Sequence, residues 1–219
     1  MLYQWDFAFL LRYTPLFWKG VLVTLAYTGG TIFLGLIIGL LIGLGRLSRS
    51  KLVNIPLIAF IEAFRCTPLL VQIVWFYYAL PVLLNIQIPA TTAAVMVLSC
   101  YTGAFYAEIF RGGIVSIEQG QWDAARALGL RRWPMMLKVI LPQAVKRMIP
   151  PFVNQSIIQL KNTSLLYVVA IPDLMYTGSI IVSDTFRPLE VYTVVAIAYF
   201  VILYPLTLWA ARLEARVDQ

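Results

Sequence analysis

A single polar block interrupts an otherwise apolar chain and limits what that chain can fold into. Residues 111–147 carry seven of the 17 basic residues, whereas the 219-residue sequence as a whole is 61% hydrophobic and only 12% charged. Charge concentrated in this way is typical of an aqueous loop between membrane spans. The pattern predicts one transmembrane domain at 18–211 that contains a large loop at 111–147.

Composition excludes several classes of function. The mean hydropathy of +0.82 is typical of multi-pass membrane proteins, so little length remains for a soluble catalytic domain. The sequence contains no histidine, and its two cysteines, Cys66 and Cys100, both lie in apolar runs. These features argue against a disulfide framework, a metal site and histidine-based catalysis. The net charge of +7 is better explained by membrane orientation than by nucleic-acid binding.

Apolar runs of about 20 residues are long enough to cross a bilayer as helices, and five such runs are present. The predicted spans are 20–45, 67–84, 88–110, 149–172 and 191–211. Segment 54–65 contains two charged residues and is predicted to be partly interfacial. In the first span, Gly35, Gly39 and Gly43 recur at every fourth residue. This stripe predicts either close approach of another helix or a membrane helix that merely tolerates glycine.

The distribution of basic residues predicts the orientation of the chain. Segments that follow the first, third and fifth spans hold twelve lysines and arginines, including Arg46, Arg49, Arg212 and Arg216. The other side holds three, namely Arg12, Lys19 and Arg187. Because basic residues accumulate on the cytoplasmic side, the N-terminus is predicted outside, and the polar block and the C-terminus inside.

A short motif lies within the polar block. Asp123-Ala124-Ala125 is followed by Gly129 and then, in the same block, by Leu141-Pro142. Alanines give a compact helical face, and a glycine permits a sharp turn into the next segment. Such a helix can lie across the membrane face and fit a groove on a soluble partner.

This motif resembles the EAA loop of ABC-importer permeases, with Asp123 in place of the usual Glu and Val139 in place of the usual Ile. Further segments resemble the histidine/glutamine/glutamate type of amino-acid ABC permease. They are 64–72 (FRCTPLLVQ, with Cys66 replacing the common Gly), 107–114 (AEIFRGGI), 140–144 (ILPQA) and 161–165 (KNTSL).

The resemblance implies an all-α integral membrane protein with the type I ABC importer permease fold, five transmembrane helices and a cytoplasmic coupling helix. It implies a permease subunit that forms the pathway of an ATP-driven amino-acid importer in the bacterial inner membrane, surrounded by lipid. The implied partners are a cytoplasmic ABC ATPase dimer, a second permease subunit (identical or paralogous) and a periplasmic amino-acid-binding protein. The resemblance implies that Asp123, Ala124, Ala125 and Gly129 dock to the ATPase. No cofactor is expected on this chain: ATP would bind to the ATPase, since the sequence has no phosphate-binding glycine loop.

Lys161 is the most unusual residue of the predicted spans. A lysine at mid-membrane costs about 2.5–3.5 kcal/mol, so Lys161 is predicted to face protein or water and, with Asn162 and Ser164, to line a substrate pathway. Thr67 and Gln72 of the second span are possible neighbours. The alternatives are a structural pair of Lys161 with Glu62, Glu108 or a backbone carbonyl, or snorkelling along the span.

Two other charged groups have simpler interpretations. Arg65 could clamp a substrate carboxylate, although an interfacial anchor or a pair with Glu62 is favoured. Glu108 and Arg111 lie three residues apart on one helical face and are predicted to pair.

Two other functions compete with transport. A membrane assembly subunit could keep the coupling motif without transporting, and an intramembrane hydrolase could use Ser164 with Lys161, which share a helical face. The sequence shows no acid deep in a predicted span, whereas Lys161 could meet an anion. This difference favours glutamate, aspartate or glutamine over a cationic substrate.

Overall fold

The computed structural model describes residues 3–48 and 50–217, with side chains up to residue 215. Arg49, counted above for orientation, lies outside the described residues, as does the side chain of Arg216. The described chain consists of helices and short connections. The α-helices are α1 (Thr14–Gly45), α2 (Lys51–Arg65), α3 (Leu69–Leu84), α4 (Ala90–Val115), α5 (Gln119–Ala127), α6 (Arg132–Val169), α7 (Leu174–Thr185) and α8 (Pro188–Val217).

Two of these helices change their winding along their length. Helix α3 includes the π-helical turn Trp75–Ala79, and α6 contains a similar turn at Met136–Ile140 after its first α-helical turn, Arg132–Met135. Helix α6 continues as a regular α-helix over Leu141–Asn162 and ends in the 3₁₀-helical stretch Thr163–Val169.

Membrane-spanning candidates agree with the predicted number of spans. Within the part of the chain that the structure describes, three continuous stretches are long and apolar enough to cross a membrane: Ala8–Gly45, Ala90–Val115 and Pro188–Ala215. Two helix pairs meet the same criterion but are bent, α2 with α3 by 105° and α6 with α7 by 44°. Counting each bent pair as one span gives five.

The fourth span and the polar block differ from the prediction. Instead of one helix at 149–172, α6 begins at Arg132 and ends before Ala170, whose backbone has a φ of 56°. The second half of this span is α7. Both ends of the predicted loop at 111–147 are helical, because arginine, lysine, methionine and leucine are good helix formers and continue a helix beyond its apolar section.

The centre of the fold is a close contact between α1 and α4. A Cβ atom placed on Gly39 would lie 2.5 Å from the Cβ of Tyr106, and one on Gly35 would lie 2.8 Å from Thr102. A Cβ on Gly43 would lie 2.9 Å from the Cβ of Phe110. The glycines therefore allow an approach that no other residue would permit, and the close-approach interpretation of the stripe is confirmed.

The other buried residues of α1 are also small, and two of its buried threonines form hydrogen bonds within the helix. Its buried face consists entirely of glycine and threonine. Thr28 and Thr31 donate hydrogen bonds of 2.7 Å to the carbonyls of Thr24 and Tyr27, one turn earlier. These hydroxyls can be buried without a loss of hydrogen bonding, and the surface of α1 stays smooth enough for close packing.

Contacts at the helix ends define two opposite faces of the molecule. At one end, Leu10 packs against Ile181 and Val191, which lie beside the connection from α7 to α8. At the other end, Arg46 lies 3.5 Å from Glu108. Asn154 donates a hydrogen bond of 2.6 Å to Glu214 near the end of α8. The N-terminal segment and the end of α8 therefore lie on opposite faces.

Gly39→Ala should destabilise the protein, because the new methyl group would separate α1 from α4. Overpacking of this kind costs about 1–3 kcal/mol, so we expect the midpoint of thermal unfolding in detergent to fall by several degrees. Gly29→Ala is the matched control, since a Cβ on Gly29 meets no atom within 4 Å. Equal midpoints for the two variants would contradict the close contact.

Candidate functional site

Lys161 lies at the point where α6 changes from α-helical to 3₁₀ winding, within a bent span. Its side chain is exposed on the surface of the single chain. Ion pairs of the described residues do not include it. An unpaired lysine on an apolar span requires water or another protein surface, so this surface of the chain is the candidate pathway.

The acidic residues considered as partners of Lys161 are engaged elsewhere. Glu62 lies 3.7 Å from Arg65, and Glu108 lies 2.8 Å from Arg111. Arg46 approaches the same Glu108 to 3.5 Å. The Glu108–Arg111 pair is confirmed, whereas the additional contact with Arg46 was missed because the two residues lie far apart in the sequence.

The neighbours of Lys161 differ in their hydrogen bonding. The hydroxyl of Ser164 donates a bond of 2.7 Å to the backbone carbonyl of Lys161. This bond commits the serine proton to the backbone, which argues against the Ser164–Lys161 hydrolase. The side-chain nitrogen of Asn162 is buried and makes no hydrogen bond of good geometry among the described residues, although the hydroxyl of Tyr101 lies close to it.

Thr67 and Gln72 stabilise the bend between α2 and α3. The amide nitrogen of Gln72 lies 2.6 Å from the Thr67 hydroxyl and 2.9 Å from the carbonyl of Phe64. The hydroxyl of Thr67 itself donates a hydrogen bond of 2.6 Å to the backbone carbonyl of Ala63. These bonds satisfy backbone groups that the bend leaves without helical partners. A pathway role for Thr67 and Gln72 stays a prediction beside this structural one.

The bend nevertheless brings the two predicted halves of the site close together. Leu69 and Ile73 of α3 share a buried cluster with Leu166 and Val169, which follow Ser164 in the 3₁₀ stretch. Packing of apolar side chains therefore fixes the start of α3 against the segment that carries Lys161.

Arg65 has contacts on two sides. Besides its pair with Glu62, its guanidinium lies 5.6 Å from the centre of the Phe105 ring, within the range of a cation–π interaction. The pairing with Glu62 that the sequence favoured is confirmed. A direct contact between Arg65 and substrate stays a prediction.

One buried acid was missed. Asp173 is fully buried and caps the N-terminus of α7, because its carboxylate accepts a hydrogen bond of 2.8 Å from the backbone nitrogen of Tyr176. The hydroxyl of Thr24 accepts a hydrogen bond of 3.1 Å from the backbone nitrogen of Leu174. Helix α1 therefore also stabilises the break between α6 and α7. The expectation that no acid lies deep in a span was wrong, because the fourth span continues past residue 172. Aspartate just before an apolar run is a helix-start signal that could have revealed it.

The docking motif forms a helix with two different faces. Ala125 is buried among Ile117, Met135 and Ile140, whereas Asp123 and Ala124 are exposed. Asp123 pairs with Arg126 at 3.0 Å. The motif therefore anchors α5 through one alanine and leaves the rest available to a partner.

Beyond α5 the chain turns sharply and stays exposed. Gly129 has a φ of 74°, in the left-handed region that only glycine adopts easily. Leu128 is 80% exposed and Trp133 is 76% exposed. These two large apolar side chains extend the exposed surface of α5, and the motif alone gave no signal for them.

Comparisons with known proteins agree with this geometry. The family described as "Binding-protein-dependent transport system inner membrane component" matches residues 34–219. The chain is 40% identical over 215 residues to the glutamine transport system permease protein GlnP of Escherichia coli K12, covering 98% of each chain. It is 31% identical over 222 residues to the glutamate/aspartate import permease protein GltK of Escherichia coli O157:H7, covering 98% of this chain and 99% of the other.

Solved structures match over almost the whole chain. A crystal structure of an amino acid ABC transporter with histidines superimposes with a TM-score of 0.92 at 36% identity, covering 98% of this chain and 100% of that one. The MetNI methionine ABC transporter in an inward-facing conformation gives a TM-score of 0.74 at 22% identity, covering 94% and 99%, and supports the fold. The chain therefore belongs to the inner membrane components of binding-protein-dependent transport systems, and within them to the amino-acid ABC transporter permeases with the type I importer fold.

Proposed function

We propose that this chain forms half of the translocation pathway of an ATP-driven importer for a polar amino acid. The observation that carries the proposal is Lys161, an unpaired and exposed cation on a bent span. Beside it lies the amide nitrogen of Asn162, which makes no hydrogen bond of good geometry among the described residues. A lysine on a membrane span needs a polar environment, and a water-filled pathway between two permease subunits would supply one.

The second permease subunit follows from the same exposed surface. Lys161 lies on the outside of the single chain, so a pathway around it requires another protein wall. A second copy of this chain, or a paralogue, would close the pathway. An assembly subunit that does not transport would have no need for an unpaired lysine at this position.

Coupling to the ATPase is proposed for α5 and the residues that follow it. The exposed Asp123 and Ala124, the turn at Gly129 and the exposed Leu128 would together fit a groove on a soluble ATPase. Motion of that ATPase would then be transmitted through Ala125 to α6, because the buried cluster that holds Ala125 includes Ile140 and Ala144.

A glutamine or acidic amino-acid substrate fits the relatives and the charge of Lys161. The names of two relatives refer to glutamine and to glutamate/aspartate, and a lysine ammonium would attract a carboxylate. Asp173 does not argue for a cationic substrate, because it is fully buried and its side chain caps α7.

The proposed orientation places the N-terminus in the periplasm and the end of α8 in the cytoplasm. The excess of basic residues at the face that holds Arg46, the polar block and Arg212 supports this assignment. In that orientation α5 faces the ATPase, and the connection between α7 and α8 faces the periplasmic amino-acid-binding protein.

Gly129→Val should uncouple the permease from its ATPase. A β-branched residue in the left-handed conformation costs roughly 1–2 kcal/mol, so the turn after α5 should rearrange. We expect ATPase co-purification and transport-linked hydrolysis to fall about fivefold or more, with membrane insertion intact. Gly29→Val is the control, because a Cβ on Gly29 meets no atom within 4 Å and Gly29 lies in α1, outside the proposed docking surface. Normal transport by Gly129→Val would exclude the docking role.

Lys161→Met should weaken substrate binding, since it keeps the apolar length of the side chain and removes its charge. Loss of a charge-assisted contact of about 1.5–3 kcal/mol corresponds to a loss of affinity of about 10- to 150-fold. The measurement is the concentration dependence of glutamine, glutamate and aspartate uptake by reconstituted transporter. Lys146→Met, at an exposed position of the same helix, should leave uptake unchanged. Unaltered uptake by Lys161→Met would make Lys161 a structural residue.

Single cysteines should report the proposed orientation when Cys66 and Cys100 are first replaced by alanine. A cysteine at position 86 or 186 should react with a membrane-impermeant thiol reagent added to the periplasmic side. A cysteine at position 120 should react only after the cells are opened. Labelling at 120 in intact cells would reverse the orientation.

A further inference from the structure

A cavity of about 850 Å³ lies between the C-terminal ends of α4 and α8 and the middle of α6, and its lining does not include Lys161. It is lined by Glu108, Ile109, Gly112, Gly113, Ser116, Arg147, Met148, Pro150, Pro151, Asn154 and Glu214. Its walls include the last residues of the spans Ala90–Val115 and Pro188–Ala215. Because these are the ends of two membrane-crossing helices, the cavity lies at the level of the lipid headgroups.

One wall of the cavity carries a carboxylate. The carboxylate of Glu214 accepts 2.6 Å from Asn154 through one oxygen, and ion pairs of the described residues do not include it. Glu214 is exposed, so its carboxylate can accept further hydrogen bonds from a group that carries several N–H donors.

The lining of the cavity also includes a cation, Arg147. Arg147 donates to the carbonyl of Ser116, and its other terminal nitrogen lies 3.9 Å from Glu118, which is 79% exposed. This solvent-exposed pair is weak, so the guanidinium can also donate hydrogen bonds to a phosphate or a carboxylate. Glu108 does not offset this charge, since it is already in contact with both Arg46 and Arg111.

The cavity also has apolar walls and unfilled space. Ile109, Met148 and the two prolines supply apolar surface. At Gly112 a Cβ atom would meet nothing within 4 Å. A larger residue at Gly112 would therefore occupy the cavity without disturbing the helices that form it.

We propose that this cavity binds a primary ammonium group carried next to an anionic group, with the ammonium at Glu214 and the anion at Arg147. Two sources have this chemistry, the headgroup of an aminophospholipid such as phosphatidylethanolamine and a free amino acid. The position of the cavity at the level of the headgroups and its apolar walls match the lipid, whose glycerol and chains would lie against Ile109 and Met148. Lipid binding at this cavity would be separate from amino-acid transport and requires only that the chain lies in a membrane.

The test uses the assembled transporter in nanodiscs of equal phosphatidylethanolamine and phosphatidylcholine, whose trimethylated ammonium has no N–H. Native mass spectrometry would count the lipids retained by the protein. Loss of a charge-assisted hydrogen bond corresponds to about a tenfold or larger change in affinity, so we expect phosphatidylethanolamine to be preferred by that factor. Glu214→Gln and Gly112→Leu should reduce the preference to within about twofold on the same grounds.

Matched controls separate this site from the rest of the surface. Asp184→Asn removes an acid at the opposite end of the molecule, and Gly29→Leu adds the same side chain at another open position. Both should retain the preference for phosphatidylethanolamine, and Gly112→Leu should unfold at the same temperature as Gly29→Leu.

A second arm identifies the source of the ligand. Nanodiscs that contain only phosphatidylcholine would be titrated with glutamine in the presence of the Lys161→Met substitution. Glutamine binding that depends on Glu214, without any lipid preference, would assign the site to a free amino acid. Equal retention of the two lipids together with no Glu214-dependent glutamine binding would overturn the proposal, whatever the outcome for transport.

Discussion

Close contact between α1 and α4 is the constraint on which the rest of this structure depends. Within a membrane, apolar side chains gain little by leaving lipid for protein, so helices associate through van der Waals contact and interhelical hydrogen bonds. Gly35, Gly39 and Gly43 allow the two backbones to approach until their surfaces interlock. Helices α2, α3 and α6 then pack against α4, which therefore organises both the predicted site and the segment that leads to α5.

The two bends impose a second requirement, because interrupted helices leave backbone groups without partners. In a membrane such groups are tolerated only where protein satisfies them. Gln72 supplies donors at the bend between α2 and α3, while Asp173 and Thr24 supply acceptors at the start of α7. Most polar residues near the bends therefore have a structural function. Lys161 differs from them, because it is a charged side chain that forms no ion pair among the described residues.

The polar block illustrates how one segment serves two purposes. Its outer surface displays Asp123, Leu128 and Trp133, whereas its inner surface is a small apolar core around Ala125 and Ile140. That core joins α5 to α6, and α6 continues to Lys161. A displacement of α5 by a soluble partner would therefore reach the proposed pathway through one continuous, packed element.

The sequence by itself determined the class of protein, the number of spans, the presence of a glycine stripe and the position of the coupling motif, whereas the structure decided that the stripe is a helix contact. The features that the sequence determined follow from local properties, namely the length of the apolar runs, the spacing of the glycines and the short motif that resembles the EAA loop. Only the tertiary structure decided where the fourth span breaks, that Asp173 is buried within it, and that Arg46 joins Glu108 and Arg111. Each of these depends on residues far apart in the chain, so hydropathy and short motifs carry no signal for them. The role of Lys161 lies between the two: its charge in an apolar run was evident, whereas the lack of an ion-pair partner required the fold.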